Sequence, residues 1–192
     1  MKKISLVIIA FLACMGVDAQ VIKLMKDGTM VSQFNTETAD KVVFDKNPVI
    51  EPVDLGLSVM WAPCNIGALN PWDFGDYFAW GETEVKTEYT EAGYSLDPGQ
   101  ITDGTVLKLE YDVAHVKLGG SWRMPTKEDW AELLANCQCT WEKYKNINGC
   151  KFTGKDNAWI FLPAAGSGGF SGHLYQGEDG SYWASSLYTA YS

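Results

Sequence analysis

The chain holds 192 residues, 46% hydrophobic and 13% aromatic, with 15 basic against 24 acidic residues and a formal net charge of −9. No basic stripe is present to neutralise phosphates, which argues against nucleic acid or an anionic membrane surface as the partner. Five cysteines and two histidines confine thiol and metal chemistry to a few positions.

Residues 1–19 read as a signal peptide. Lys2 and Lys3 give the positive start, Ile4 to Ala13 the apolar run, and Val17-Asp18-Ala19 the small-residue cleavage site ahead of Gln20. The run is too short to span a bilayer as a helix, so no transmembrane segment is expected in the mature chain. Cys14 raises lipid attachment as an alternative, but Phe11-Leu12-Ala13 before it matches a lipobox poorly. The expected location is outside the cytoplasm: periplasmic, outer-surface or extracellular. Cleavage removes Lys2, Lys3 and Asp18, leaving 13 basic and 23 acidic residues. The remaining 173 residues suffice for one domain with a sizeable core.

Residues 20–47 predict a small N-terminal β unit. VIKLMKDGTMVSQF carries an Asp27-Gly28 turn between alternating segments, and KVVFDKN reads as a third short strand. PVIEP, residues 48–52, has a proline at each end and reads as a linker. Beyond it, VDLGLSVMWAPCNIGA reads as irregular strands broken at glycine, and GDYFAWGE as a short buried strand. Glu82 to Lys108 is polar and is expected to be a long surface loop of the kind that carries function.

A helix is predicted from Thr126, where Thr126 and Asp129 have the spacing of a capping box. Trp130, Leu133, Leu134 and Cys137 follow as one apolar stripe. CTWEKYKNINGCKFTG predicts a hairpin turning within Asn146 to Gly149, and AWIFLPAAG a buried strand. GSGGFSG, residues 166–172, reads as a flexible loop, and SYWASSLYTAYS as a closing alternating segment. Gly75-Asp76-Tyr77-Phe78-Ala79 echoes Gly180-Ser181-Tyr182-Trp183-Ala184, and the pair reads as two similar core strands.

Motifs of catalysis are missing. GGS at Gly119 lacks the Gly-Lys-Ser/Thr of a phosphate loop, and GSGGFSG lacks the order of a nucleophile elbow. His115 and His173 stand alone. Asp73, Asp76, Glu82 and Glu84 form an acidic cluster that fits no EF-hand, so calcium is possible but unsupported, and no cofactor is expected. Trp72 and its aromatic neighbours suit either core packing or a sugar platform. Arg123 is expected to bond backbone carbonyls or a buried carboxylate such as Asp112. Cys64, Cys137, Cys139 and Cys150 point to disulfides rather than zinc, with three connectivities open.

VDLGLSVMWAPCNIGA, GDYFAWGET, YDVAHVKLGGSWRMPTKEDWAELL, NGCKFTG, IFLPAAG and YWASS, in this order, resemble the Fibrobacter succinogenes major paralogous domain family. The Trp-Arg-Met-Pro-Thr core is also similar to the Arg-Leu-Pro-Thr signature of formylglycine-generating enzymes. Both resemblances imply an α+β fold over residues 53–192. The implied domain is C-type-lectin-like and irregular, with small twisted antiparallel sheets and one or two short helices. Gly119, Gly120, Trp122, Arg123, Pro125, Thr126, Asp129 and Trp130 fall on the shared structural hinge, where the double glycine is expected to let backbones approach closely. Cys64 and Cys137 occupy positions where the family often has cysteine, whereas Cys139 and Cys150 replace aromatic positions. The resemblance therefore implies Cys64–Cys137 and Cys139–Cys150 pairs.

The family continues past its Tyr-Trp-Ser-Ser motif, so the domain is expected to be C-terminally truncated. The catalytic cysteine region of formylglycine generators has no counterpart after Cys150. The function implied is an exported, non-catalytic module that binds a glycan or protein. The ligand candidates are Trp72, Asp73, Asp76, Glu82, His173, Tyr175 and Tyr188. The alternatives are an enzyme related to formylglycine generators, a structural subunit of a cell-surface assembly, or a non-functional truncated paralogue.

Overall fold

The computed structural model describes residues 21–26, 29–35, 50–169 and 172–187. The chain divides into two compact units, Met1–Lys46 and Asn47–Ser192. In the first, β1 (Val21–Lys26) and β2 (Thr29–Asn35) pair antiparallel, as their alternation predicts. The signal peptide, the KVVFDKN segment and the start of the linker lie outside the described residues.

The second unit is an α+β assembly of small antiparallel sheets and short helices. Its helices are α1 (Pro98–Ile101), α2 (Val113–Leu118) and α3 (Lys127–Asn136). The third starts as the sequence predicts. Thr126 Oγ1 accepts from the Asp129 amide at 3.2 Å, and the Asp129 carboxylate accepts from the Thr126 amide at 2.7 Å. Leu133 and Cys137 face the core, but Leu134 is 64% exposed, so the buried stripe is narrower than the sequence suggests.

The main sheet has the order β5 (Gln138–Tyr144), β6 (Ile147–Thr153) and β7 (Trp159–Pro163). The β5–β6 turn falls on Lys145 and Asn146, both at positive φ, as a tight two-residue hairpin requires. It lies earlier than the expected 146–149, because Gly149 serves the ladder itself. A Cβ there would meet Leu162 O and Phe161 Cζ, each at 2.5 Å, so the β6–β7 contact needs a glycine.

A disulfide joins Cys139 to Cys150 across this hairpin, with Cα atoms 6.0 Å apart. Closing so short a loop in the unfolded chain contributes about 3 kcal/mol. The expected Cys64–Cys137 pair is absent, and both thiols are free. Cys137 ends α3 inside the core, whereas Cys64 is held locally, its Sγ 3.5 Å from Ala68 O.

Three other segments depart from expectation. GDYFAWGE is not a strand, because Gly75 and Gly81 at its ends take positive φ and its carbonyls go to side chains. Phe78 O accepts from the Trp183 indole at 2.9 Å, and Trp80 O from the Tyr94 hydroxyl at 2.9 Å. Glu82 to Lys108 is not a structureless loop. It contains α1, β3 (Thr102–Asp103) and β4 (Val106–Leu107), and it buries Ile101 and Leu107. GSGGFSG contributes to a small hairpin of β8 (Ser167–Gly169) and β9 (Gly172–Leu174) rather than a free loop.

The unit has two small cores. One gathers Leu55, Trp61, Leu133, Cys137, Phe152 and Ile160, and the other Ile101, Leu107, Val113, Ala114 and Met124. Each apolar side chain buried in them contributes roughly 1.5–3 kcal/mol. Proteolytic digestion under non-reducing conditions is expected to recover Cys139 and Cys150 in one linked species, with Cys64 and Cys137 alkylated after denaturation. A linked Cys64–Cys137 peptide would contradict the fold described here.

Candidate functional site

The stretch from Asp112 to Trp130 is fixed by two carboxylates. Asp112 is only 2% exposed. Its carboxylate caps α2 by accepting from the amides of Ala114 and His115, and it also takes the Met124 amide at 2.9 Å. Arg123 bonds a backbone carbonyl and a buried carboxylate, as expected, but the carboxylate is Asp129 rather than Asp112. It forks onto Asp129, with Nη1 2.6 Å from Oδ2 and Nη2 3.3 Å from Oδ1, and gives a further bond to Met124 O. Asp112 is already saturated by amides, which leaves Asp129 as the carboxylate for the guanidinium. Gly119 and Gly120 take φ of 70° and 57°, yet an added Cβ at either would meet nothing within 4 Å. They supply left-handed backbone rather than close approach.

These contacts set the titration of the pair. Burial alone raises the Asp129 carboxyl, but bonds from Arg123 and Thr126 outweigh it and hold the group below its ordinary value. The bond to Asp129 raises Arg123 in turn, against the cost of burial. The pair is therefore a locked structural device, without a free base or acid to offer.

Beside it, between the two cores, lies a cleft of about 1010 Å³. That is the upper end of the range for ligand sites and far above a packing defect. Irregular runs wall it, among them residues 59–62, 64–66, 76–79, 121–125 and 181–183, and Phe161 and Leu162 of β7 and residues 165–168 reach it too. Every residue of each run lines the cleft, although neighbouring side chains of an extended chain point opposite ways. The main chain of these segments therefore faces the cavity along with their side chains.

Aromatic donors hold the walls in place. Trp80 Nε1 donates to Ala184 O at 2.8 Å, Trp183 Nε1 to Phe78 O, and Trp130 Nε1 to Trp183 O at 3.2 Å. The two echoing segments around Tyr77 and Tyr182 are thus tied to each other by reciprocal indole bonds, although neither is a strand. Tyr77 Oη donates to Ala165 O at 2.5 Å and Tyr182 Oη to Pro163 O at 2.7 Å. Burial, above all, pushes the Tyr182 phenol up to about 12, so it remains a donor across ordinary pH. Trp61 stacks edge-on to Trp130 with centroids 5.0 Å apart. Met60 and Trp183 sit at the mouth, 60% and 56% exposed.

Of the ligand candidates read from the sequence, Asp76 stands on the cleft wall with an exposed side chain. Trp72 packs instead on Tyr144 at 5.6 Å, with the Lys145 ammonium over its ring. Asp73 accepts from the amide and side chain of Asn70. Glu82 pairs with Lys86, and Glu84 with Lys117 at 2.8 Å. The four carboxylates therefore do not converge, and among the described residues no group of three or more potential ligands is placed to hold a metal. Tyr175 is exposed on a turn at positive φ. His173 lies on β9 opposite Gly168, and Tyr188 falls outside the described residues. Cys64 lines the cleft, where burial and then Asp73 raise its thiol, so it is a weak nucleophile. Among the described residues no helix is long and apolar enough to cross a membrane.

Fold and site together define a small α+β domain built around one aromatic-walled cleft. Searches of protein families, curated proteins and solved structures return no match to the chain. The cleft was not legible as a site because its walls come from separate segments that read locally as core strands or as a structural hinge.

Two substitutions probe this frame. Asp112→Ala strands three amides and is expected to cost roughly 2–4 kcal/mol in urea unfolding. Asp129 has a folded pKa below its unfolded value of about 3.9, so its contribution is complete above that value and is lost as pH falls through the folded one. Asp129→Asn is expected to cost about 2 kcal/mol at neutral pH and to flatten the loss of stability below about pH 4. The Arg123 side chain is 37% exposed, so screening keeps the ionic share small.

Proposed function

We propose that this protein is an exported, non-catalytic binding module that takes a glycan or protein ligand, and that the aromatic-walled cleft is its recognition site. The observation that carries this reading is a cavity of about 1010 Å³ held open by side-chain-to-backbone bonds, with two large apolar side chains exposed at its mouth. Exposed apolar surface at the mouth of a cavity marks an interaction site. The titratable groups on the walls support binding rather than chemistry. Asp129 is committed to Arg123 and Thr126, and Cys64 is held as a thiol. The reading favours the cleft over the Glu82 to Lys108 segment, which gives Ile101 and Leu107 to the second core. The resemblance to the major paralogous domain family and its lectin-like fold accords with a binding role.

A glycan and protein array screened with the wild-type domain and two variants tests the reading. Met60→Asp puts a charge at the cleft mouth on a residue that is 60% exposed, and Leu69→Asp does so on an 84% exposed residue away from the cleft. Ligands found for the wild type are expected to be retained by Leu69→Asp and weakened about tenfold or more by Met60→Asp. Equal binding by both variants, or an array with no ligand at all, would count against the cleft.

A further inference from the structure

We propose that the mouth of this cleft is a subsite for one uncharged sugar ring, which stacks on Trp183 and takes hydrogen bonds from Arg123. The inference rests on the reading of the cleft as a recognition site and chooses between the two ligand classes which that reading allows.

Trp183 is the first observation. It is 56% exposed, although its indole N–H is bonded to Phe78 O at 2.9 Å and its own carbonyl accepts from Trp130 Nε1 at 3.2 Å. Both the ring edge and the main chain are therefore anchored on the cleft wall. What the residue offers to solvent is chiefly ring carbon, in an orientation that needs no further ordering when a ligand arrives. Preorganised apolar surface of this kind at a cavity mouth is a binding surface.

Arg123 is the second. A guanidinium has five N–H donors, and the bonds to Asp129 and Met124 O use three of them. The other two have no partner among the described residues, on a side chain that is 37% exposed and lines the same cleft. Asp129 fixes the planar fork, so the spare donors have set directions.

The two groups are neighbours. Asp129 holds the guanidinium and the next residue, Trp130, holds the Trp183 carbonyl, so consecutive residues of α3 place both. The Ser185 amide donates to Pro125 O at 2.8 Å, which sets the chain around Trp183 beside the 121–125 run. Ser121 and Ser181 are exposed on the cleft as well, and their hydroxyls have no partner among the described residues.

Together these groups select the ligand. A pyranose has an apolar face of C–H groups and a rim of hydroxyls, which matches an indole face flanked by hydrogen-bonding groups. An apolar side chain of a protein would cover the indole equally well. It would also strip water from the spare donors of Arg123 without replacing it, which costs affinity. Charge narrows the class further. Asp129 neutralises Arg123, and the chain has a net charge of −9, so a uronic or sialic acid gains no free cation and meets repulsion. An uncharged sugar is the complement.

The test titrates the whole protein with neutral oligosaccharides of glucose, galactose, mannose, fucose and N-acetylhexosamines. Oligogalacturonate and sialyllactose serve as anionic counterparts, and binding is read by tryptophan emission and calorimetry. At least one neutral sugar is expected to bind, and the anionic ones about tenfold more weakly. Trp183→Ala is expected to weaken binding about tenfold. Trp183→Phe, which loses the N–H but keeps a ring face, is expected to weaken it about threefold or less. Arg123→Lys, which keeps the charge beside Asp129 but loses the planar fork, is expected to weaken it about fivefold. The urea midpoint of each variant is measured alongside, so that binding is compared only where the variant is folded.

Equal losses in Trp183→Ala and Trp183→Phe would overturn the proposal, since both remove the bond to Phe78 O and only one removes the ring. So would unchanged binding in Trp183→Ala or in Arg123→Lys, or anionic sugars that bind as well as neutral ones. If no neutral sugar binds while a protein ligand from the array is lost in Met60→Asp, the sugar proposal falls and the binding-module reading stands. If nothing binds, both fall.

Discussion

The structure depends on how a chain with little regular sheet satisfies its main chain. Indole and phenol donors do much of that work. Trp80, Trp130 and Trp183 give their N–H groups, and Tyr77, Tyr94 and Tyr182 their hydroxyls, to carbonyls of irregular segments and of the end of β7, most of them far away in sequence. A buried carbonyl without a partner costs about 1–3 kcal/mol, and the part-buried bonds among these avoid part of such a penalty while their rings fill space. The abundance of aromatic residues is thus tied to the shortness of the strands.

The same solution explains why the two cores do not merge. A ladder would draw the segments around Trp61, Tyr77, Trp122 and Tyr182 to strand spacing and close the space between them. The Tyr77 and Tyr182 segments are held at the reach of indoles and phenols, whereas the Trp61 segment is held by a main-chain bridge to Val53. Asp112 and Asp129 fix the 121–125 wall, the first through the Met124 amide and the second through the Arg123 guanidinium.

What the sequence disclosed follows the range of the forces involved. The cap of α3 was legible because Thr126 and Asp129 bond each other within three residues. The paired Cys139 and Cys150 were legible through their unusual positions relative to a family pattern. The structure bears out the α+β class and the small antiparallel sheets. Other features depend on partners that no local pattern names. Arg123 choosing Asp129 depends on Asp112 being taken by amides, and the irregular course of GDYFAWGE depends on Trp183, far along the chain. Leu134 matched the helical period, yet it stays 64% exposed.

The position of Cys137 bears on how the disulfide arises. In an unfolded chain Cys150 meets Cys137 and Cys139 with nearly equal ease, because the two loops differ by only two residues and closure entropy varies slowly with length. Loop statistics therefore cannot select the native pair. Selection comes from α3, whose last turn carries Cys137 into the core beside Leu133 and Phe152 while Cys139 stays on the exposed strand. Docking of this helix sequesters the competing thiol, so fidelity of oxidation in this protein is a property of helix packing and not of cysteine spacing.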